Sequence, residues 1–259
     1  MNKSIRLWID QNRFLFEELV KRDFKQKYKR TVLGMGWSLL SPLLSLLIMS
    51  FVFRNFFGRS IQHYTIFMFI GTLIFSYFRE STTGGMSALV QNASIYSKVN
   101  VPKYMFLLSK NVSALINFLL TMVILFLFIL SDRIPITPRF LLLLFPICCL
   151  VLFNVGIGLV LSAMFVFFRD TSYFYELFVM LLNYMSAIFY SVDDFPIQSK
   201  RLFLLNPIYC YIKYFRLIII DGNVPSLEYH ALCLFYALAL VALGTIVYKK
   251  NNTKFLYYV

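Results

Sequence analysis

Charged residues are scarce in this chain, and acidic residues are the scarcest. Only 14% of the 259 residues are charged, with 12 Asp and Glu against 25 Lys and Arg. A soluble domain has about a quarter of its residues charged and about half of them apolar, whereas 59% of this chain is hydrophobic. So few polar side chains cannot cover a water-soluble globular surface. The composition therefore predicts an integral membrane protein built as one membrane domain.

Residues that bind metals are also few. The chain has two His and four Cys, and three of the cysteines lie within apolar runs. Their spacing is not that of a metal site, so the cysteines are interpreted as packing residues and no metal is predicted. Asp193 and Asp194 are adjacent carboxylates, but no further ligand stands near them in the sequence. A solvated pair in a loop is therefore favoured over acid–base or metal chemistry.

The net charge of +13 has two interpretations. A basic balance is compatible with nucleic-acid binding, but the chain has no RNA-binding motif, and nucleic acid is not predicted as a partner. Positive charge also marks the cytoplasmic side of a membrane protein, which is the interpretation we favour. Residues 1–33 have no compact apolar core followed by small residues, so no cleavable signal peptide is predicted.

Apolar runs follow one another along the chain, and they are too long for strands. The expected fold is all-α, with six transmembrane helices, an N-terminal amphipathic interface helix and a re-entrant helical pair before the last span. A cytoplasmic N-terminus of residues 1–33 precedes the membrane domain of residues 34–250, and a cytoplasmic tail of residues 251–259 follows it. The spans are predicted at residues 34–53, 64–90, 106–130, 140–168, 173–190 and 229–248.

Residues 195–220 are apolar but do not have the pattern of a simple span. They contain Pro196, Pro207 and four cationic side chains, and a cation that faces lipid is energetically costly. A re-entrant pair, in which two short helices enter the membrane and return to the same side, agrees better with this pattern than a simple span does. An ordinary seventh span is the alternative.

The distribution of Lys and Arg predicts the orientation. With six spans, the side that carries both termini has 16 of these residues and the opposite side has eight, so both termini are expected in the cytoplasm. Apolar residues recur at near-helical spacing within residues 9–31, which predicts an amphipathic helix along the inner membrane face. Its basic end, residues 25–30, would contact anionic headgroups.

Several motifs occur in order along the chain. The N-terminal set comprises Arg22-Asp23, Lys27-Tyr28, Arg30-Thr31, Leu33-Gly34, Trp37 and Pro42, and further landmarks occupy residues 92–109, 166–170 and 206–216. This order resembles that of the type-2 ABC exporter permeases that move polysaccharides. It is most similar to the Wzm type, which exports O-antigen, capsule or teichoic-acid glycans. In that family the first set belongs to the interface helix and the entry to the first span, so the resemblance assigns Arg22, Asp23, Lys27, Tyr28 and Arg30 to the interface helix.

The resemblance implies that this chain is the membrane subunit of an ATP-driven pump, and that separate subunits complete the pump. Such permeases form a homodimer with two copies of a separate ABC ATPase in the bacterial cytoplasmic (inner) membrane, and they export an undecaprenyl-linked glycan whose identity the sequence leaves open. The chain has no G-x-x-x-x-G-K-[ST] loop, so ATP and Mg are expected on the partner ATPase and no enzyme activity or cofactor on this chain. The alternatives are a type-2 exporter of drugs or small lipids, and a membrane-embedded transferase acting on lipid-linked sugars.

The coupling segment, residues 94–104, is the predicted docking site for the ATPase. It is cytoplasmic in this topology and joins two spans. Tyr96 and Val99 are three residues apart and are expected to share one helical face as an apolar anchor, while Lys98 and Lys103 form its rim. Pro102 would end the short helix. A plain loop at the membrane surface is the alternative.

Four residues are assigned to the translocation path. Trp37 and Tyr77 could stack on sugar rings, although aromatic belts at the membrane surface explain most aromatics in such a chain. Arg79 and Glu80 interrupt the second span, and charges at membrane depth usually face protein or water. They are expected on the path or at the dimer seam. The alternatives are a structural pair between them, or a span that ends earlier.

Overall fold

The computed structural model describes residues 3–28, 31–57, 61–99, 101–193 and 195–258. Every regular element in these ranges is helical, which confirms the all-α expectation. Short 3-10 turns at Gly34–Gly36 and Pro138–Leu143 lead into α2 and α6. The helices are α1 (Lys3–Tyr28), α2 (Trp37–Phe57), α3 (Tyr64–Gln91), α4 (Ala93–Tyr96), α5 (Tyr104–Ser131), α6 (Leu144–Phe167), α7 (Thr171–Met185), α8 (Ile197–Phe203), α9 (Pro207–Ile219), α10 (Leu227–Asn251) and α11 (Phe255–Tyr258).

Three stretches among the described residues are long and apolar enough to cross a bilayer. They are Tyr104–Ser131, Pro138–Phe167 and Leu227–Asn251, and a shorter apolar helix covers Trp37–Phe53. α3 has 28 residues but includes a charged and polar stretch in its second half, and α7 has only 15 residues. The long apolar helices confirm a membrane protein, whereas the count of six spans stays a prediction.

The core of the bundle is formed by α3, α5, α6 and α10, with α9 inserted among them. α9 begins at Pro207, which occupies its first turn, and the Asn206 side chain accepts hydrogen bonds from the amides of Ile208 and Tyr209. The Tyr211 and Phe215 side chains are completely buried. The predicted segment of two short helices is therefore present as α8 and α9.

Arg216 of α9 is the one cation of this segment that is fully enclosed, at 4% exposure. Its guanidinium donates to the carbonyl oxygens of Phe67, Ala187 and Ile188 at 2.8–3.2 Å. Gly71 leaves room for it, since a Cβ there would lie 3.2 Å from Nη2. A buried cation is tolerated only when its donors are satisfied, and here carbonyl oxygens satisfy them. Arg216 thus fixes α9 to α3 and to the chain after α7.

That chain after α7 differs from the predicted fifth span of residues 173–190. α7 ends at Met185, and Ala187 adopts a left-handed conformation with φ of 50°. The Asn206 amide donates to the carbonyl oxygen of Met185 and to Ser186 Oγ, both at 3.1 Å. The side chains of α9 and its cap therefore replace the helical hydrogen bonds that the chain loses at this point.

Asp193 is exposed to solvent in the loop, as the sequence analysis expected, and it also forms an ion pair. Lys213 Nζ lies 2.9 Å from its carboxylate, and Asp194 is outside the described residues. Burial acts to raise the pKa of Asp193, but the hydrogen bonds and charge of Lys213 outweigh burial and hold that pKa below its ordinary value. The pair joins the link after α7 to α9.

Contacts between the ends of the helices fall into two groups, at opposite ends of the bundle. At one end, the loop contacts are His63 with Asp132, Tyr64 with the carbonyl oxygen of Phe189, and Arg139 with the carbonyl oxygen of Gly222. At the other end they are Asp23 with Lys110, Lys103 with the carbonyl oxygen of Asn252, and Phe167 with Phe255. Each of these contacts between described residues joins parts of the chain that the predicted six-span topology places at the same side.

α6 and α10 approach each other more closely than side chains would allow. A Cβ on Gly156 would lie 2.5 Å from the carbonyl carbon of Leu240, and a Cβ on Gly244 would lie 2.4 Å from the carbonyl oxygen of Gly156. Small residues let membrane helices bring their backbones into contact. The two helices are therefore held backbone to backbone at this crossing.

We expect Gly156→Ala to lower the thermal unfolding temperature of the detergent-solubilised protein. The added methyl group meets backbone atoms that cannot rotate away, and overpacking of this kind costs about 1–3 kcal/mol. Fluorescence-detected size-exclusion after heating measures the effect.

The matched control is Gly84→Ala, whose Cβ would meet only the Lys110 side chain at 3.4 Å. That variant should unfold at or above the wild-type temperature, because Ala is favoured over Gly inside a helix. Equal unfolding temperatures for Gly156→Ala and the wild type would contradict the backbone contact.

Candidate functional site

A cleft of about 1050 Å³ lies between α2, α3, α5 and α7. Polar residues line it on each of these helices, although the helices are otherwise apolar. α2 contributes serines at helical spacing along one face, and α3 contributes polar residues along one continuous face. The polar lining residues are Lys27, Thr31, Ser38, Ser41, Ser45, Thr72, Ser76, Tyr77, Arg79, Glu80, Thr83, Asn117, Thr121, Glu176 and Asn183.

All four residues predicted for the translocation path line this cleft. Trp37 stands at the start of α2 with 37% of its surface exposed. Tyr77 is only 2% exposed, and its hydroxyl donates to Asn111 Oδ1 at 3.0 Å. Trp37 therefore presents a ring to the cleft, whereas Tyr77 forms part of the wall and directs its hydroxyl into the bundle.

Arg79 and Glu80 do not pair with each other. Glu80 Oε1 accepts a hydrogen bond from Asn117 Nδ2 at 2.7 Å and lies 2.9 Å from Lys27 Nζ. Arg79 is exposed at the cleft, and no described carboxylate lies within ion-pair distance of it. The two adjacent charges thus differ in role: Glu80 joins three helices, and Arg79 is available to a ligand.

Asp23 attaches α1 to the bundle. Its side chain is 2% exposed and lies 2.9 Å from Arg22 and 3.1 Å from Lys110. Ser109 Oγ donates a further hydrogen bond at 2.8 Å. A buried carboxylate is stable only with such donors around it. Of the predicted interface-helix residues, Arg22, Asp23 and Lys27 lie at this junction; Tyr28 ends α1, and Arg30 is outside the described residues.

The contact between Lys27 of α1 and Glu80 of α3 shows which part of α3 lies beside α1. Lys27 meets α3 at Glu80, and Glu80 precedes the end of the helix at Gln91 by about 16 Å at 1.5 Å per residue. Leu19 of α1 belongs to the same hydrophobic cluster as Leu89 of α3, so α1 runs beside these last three turns of α3. Arg79, next to Glu80 in the sequence, lies near the C-terminal end of α1.

The coupling segment is built differently from the prediction. Tyr96 ends α4 and is 6% exposed, with its ring centroid 6.1 Å from that of Phe106. Burial raises the pKa of Tyr96. Val99 lies in the turn that follows and is 55% exposed, and Lys98 beside it is exposed as well. The expectation of one exposed face shared by Tyr96 and Val99 is therefore corrected, because the aromatic ring packs into an apolar cluster of the bundle.

Pro102 and Lys103 are half-buried at the start of α5. Lys103 donates from Nζ to the carbonyl oxygen of Asn252 at 2.7 Å. It therefore faces the C-terminal tail and not the rim of an exposed patch. Within the coupling segment, Lys98 and Val99 are the predicted docking residues that remain accessible.

The sequence analysis missed several residues that shape the cleft. Ser38, Ser41 and Ser45 recur at three- and four-residue spacing on one face of an apolar helix, and this spacing was a usable signal. The partners Ser109 and Asn117 had no such signal, because single polar residues in an apolar helix do not reveal what they contact. Among the described residues, no group of three or more His, Cys, Asp or Glu side chains could hold a metal.

Comparison with known proteins gives consistent results. The sequence model of the ABC-2 type transporter family matches residues 15–220. Two proteins of Klebsiella pneumoniae named O-antigen export system permease protein RfbA are 28% and 30% identical over 250 and 249 residues. Each alignment covers 93% of this chain and 95% of the relative. A protein of Myxococcus xanthus with the same name is 27% identical, over 84% of this chain and 85% of its own.

The family match covers well over half of the chain, and it includes the second half of α1, the cleft helices and the coupling segment. These are the elements that carry the polar lining and the junction at Asp23. The chain belongs to the ABC-2 type transporter family.

Proposed function

We propose that this chain is the transmembrane subunit of an ATP-driven exporter of lipid-linked polysaccharide, of the O-antigen, capsule or teichoic-acid type. The observation that carries the proposal is the polar cleft of about 1050 Å³ within a bundle of apolar helices. The names of the relatives that match nearly the whole chain support the same substrate class. An undecaprenyl-linked glycan would be the substrate, and a separate ABC ATPase would bind ATP and Mg.

The chemistry of the lining favours a glycan over an apolar drug. Sugars present hydroxyl groups in every direction, and the cleft offers hydroxyl and amide side chains along its length that can donate and accept hydrogen bonds. An apolar solute would leave these groups without partners, which costs about 1–3 kcal/mol for each buried group. The exposed Trp37 ring supplies a flat apolar surface for the C–H face of a sugar.

We propose that a second copy of this chain closes the cleft. α2 and α7 pack on α3 and the other core helices without packing extensively against each other, so the polar lining would otherwise meet lipid. Lipid cannot satisfy these polar groups. α7 also carries large exposed apolar side chains on the face away from the cleft, among them Phe174 at 74% and Leu181 at 54% exposure. In the homodimer, two such clefts would form one pathway.

The proposed topology has α2, α3, α5, α6, α7 and α10 as six crossings, with both termini in the cytoplasm of a bacterial inner membrane. The two groups of loop contacts support it, since each group combines loops of one predicted side. α1 lies at the inner face as the interface helix. α8 and α9 form the re-entrant pair on the outer side, where Arg216 is satisfied by carbonyl oxygens.

The first prediction concerns topology. A cysteine introduced as Asp193→Cys should react with a membrane-impermeant maleimide added to intact spheroplasts, and Asn252→Cys should react only after permeabilisation. Both variants are made in a background with Cys148→Ala, because Cys148 is the exposed native cysteine. Labelling of residue 252 but not of residue 193 from outside would contradict the topology.

The second prediction concerns Arg79. We expect Arg79→Leu to reduce export at least severalfold while the protein stays folded, because an exposed, unpaired residue contributes within about 0.5 kcal/mol to stability. Surface glycan is measured by blotting, and permease abundance by an epitope tag.

Arg79→Lys is the matched control, since it keeps the cation in the cleft and should retain most export. Glu80→Gln should instead weaken the attachment of α1, because it removes the charge that faces Lys27. Full export by Arg79→Leu would place Arg79 outside the pathway.

The third prediction concerns the ATPase. Val99→Asp should decrease the amount of ATPase that copurifies with the permease by about tenfold or more, because a charge would replace an exposed apolar anchor. Lys98→Ala changes the neighbouring residue at the rim of the proposed docking site, and it should have little effect on the amount of ATPase that copurifies. Wild-type copurification with Val99→Asp would show that the ATPase docks elsewhere.

A further inference from the structure

The chain after α10 folds back against the bundle. The Phe255 ring of α11 is completely buried, with its centroid 5.3 Å from that of Tyr248 and 6.1 Å from that of Phe167. The Tyr258 ring packs edge-on against Phe167 at 4.9 Å. A helix of four residues is not stable by itself. The tail therefore owes its position to these aromatic contacts.

Lys103 connects the tail to the coupling segment. Its Nζ lies 5.6 Å from the centroid of the Tyr96 ring and 5.7 Å from that of Phe255, which are cation–π distances. The same ammonium donates to the carbonyl oxygen of Asn252 at 2.7 Å, and no described carboxylate pairs with it. Burial lowers the pKa of Lys103. One side chain thus links a ring of the coupling segment to a ring and a carbonyl group of the tail.

These contacts belong to a second hydrophobic core at the cytoplasmic end of the bundle. It is separate from the main core and combines side chains from α1, α3, α4, α5, α6, α10 and the tail. Its members include Leu19, Leu89, Tyr96, Phe106, Val166, Tyr248 and Phe255. The tail therefore completes the packing around α4.

The coupling segment needs such support because its own structure is short. α4 has four residues, and Pro102 prevents a continuous helix into α5. Tyr96 packs into the second core together with the partly buried Ile95 and Val101, and Lys103 contacts the tail. Without the tail, a force applied at Val99 would bend this segment locally instead of moving α3 and α5.

We propose that Phe255 and Lys103 are positioning residues for ATPase coupling, which hold the coupling segment against the bundle so that its displacement moves the membrane helices. This inference rests on the proposed function, in which the ATPase acts at the coupling segment. Neither residue contacts the ATPase in this arrangement. Loss of either one should leave ATPase binding intact and lower the export obtained per ATP hydrolysed.

The test combines a structural and a functional measurement on the full complex in inside-out vesicles. Ile95→Cys, in the Cys148→Ala background, reports how accessible the coupling segment is to a membrane-impermeant maleimide. Adding Phe255→Ala should raise the labelling rate by about tenfold or more, since truncation of a fully buried aromatic ring removes much of the packing. Export per ATP hydrolysed should fall, with the same amount of ATPase bound.

Matched variants separate positioning from a general loss of folding. Phe255→Leu keeps an apolar side chain and should restore coupling, while Lys254→Ala changes an exposed neighbour in the tail and should behave as the wild type. Lys103→Met keeps the aliphatic chain but removes the cation, and it should reproduce the uncoupling.

Two results would overturn the inference: unchanged Ile95→Cys labelling in the Phe255→Ala variant, or increased labelling with normal coupling. Failure of the proposed docking site is distinguishable, because it would appear as normal ATPase binding and export in Val99→Asp, and failure of the proposed exporter function would appear as absence of export by the wild-type complex. The labelling measurement depends on neither.

Discussion

A hydrogen-bonding group within a bilayer must find its partner inside the protein, because lipid tails offer none. This constraint explains why Arg216 points at three carbonyl oxygens and why Asp23 is surrounded by donors from α1 and α5. It also explains why the polar side chains of four helices converge on one cleft. Arg216 and Asp23 each join two or more elements in this way, so that these satisfied groups help to determine how the apolar helices are arranged.

The sequence predicted the features that depend on repetition. Apolar runs predict helices, and the prolines at 196 and 207 predict a break. The serines of α2 were not predicted, although their spacing indicates a shared face. The resemblance predicts the interface helix and the coupling segment, and both assignments stay predictions. Trp37 was assigned to the pathway because its ring could stack on sugars, and Arg79 because a charge at membrane depth is costly; both residues line the cleft.

The features that could not be predicted depend on a single contact between distant residues. Glu80 follows Arg79 in the sequence, yet its partners are Lys27 and Asn117, and nothing local indicates this choice. Tyr96 turns inward because Phe106 and Lys103 offer it an apolar and cationic environment. The end of α7 at Met185 follows from Asn206 and Arg216, which lie 20 or more residues further along the chain.

The contact of Gly156 with Gly244 limits the motions available to the bundle. Two helices whose backbones touch cannot slide or rotate past each other without a steric clash, so α6 and α10 must move as one rigid body. α3 and α5 pack with α6 in the same core. α2 and α7 have fewer neighbours, and they form two walls of the cleft. A displacement of α3 and α5 at the coupling segment would therefore carry α6 and α10 with it, and the cleft would change width as this core moves relative to α2 and α7.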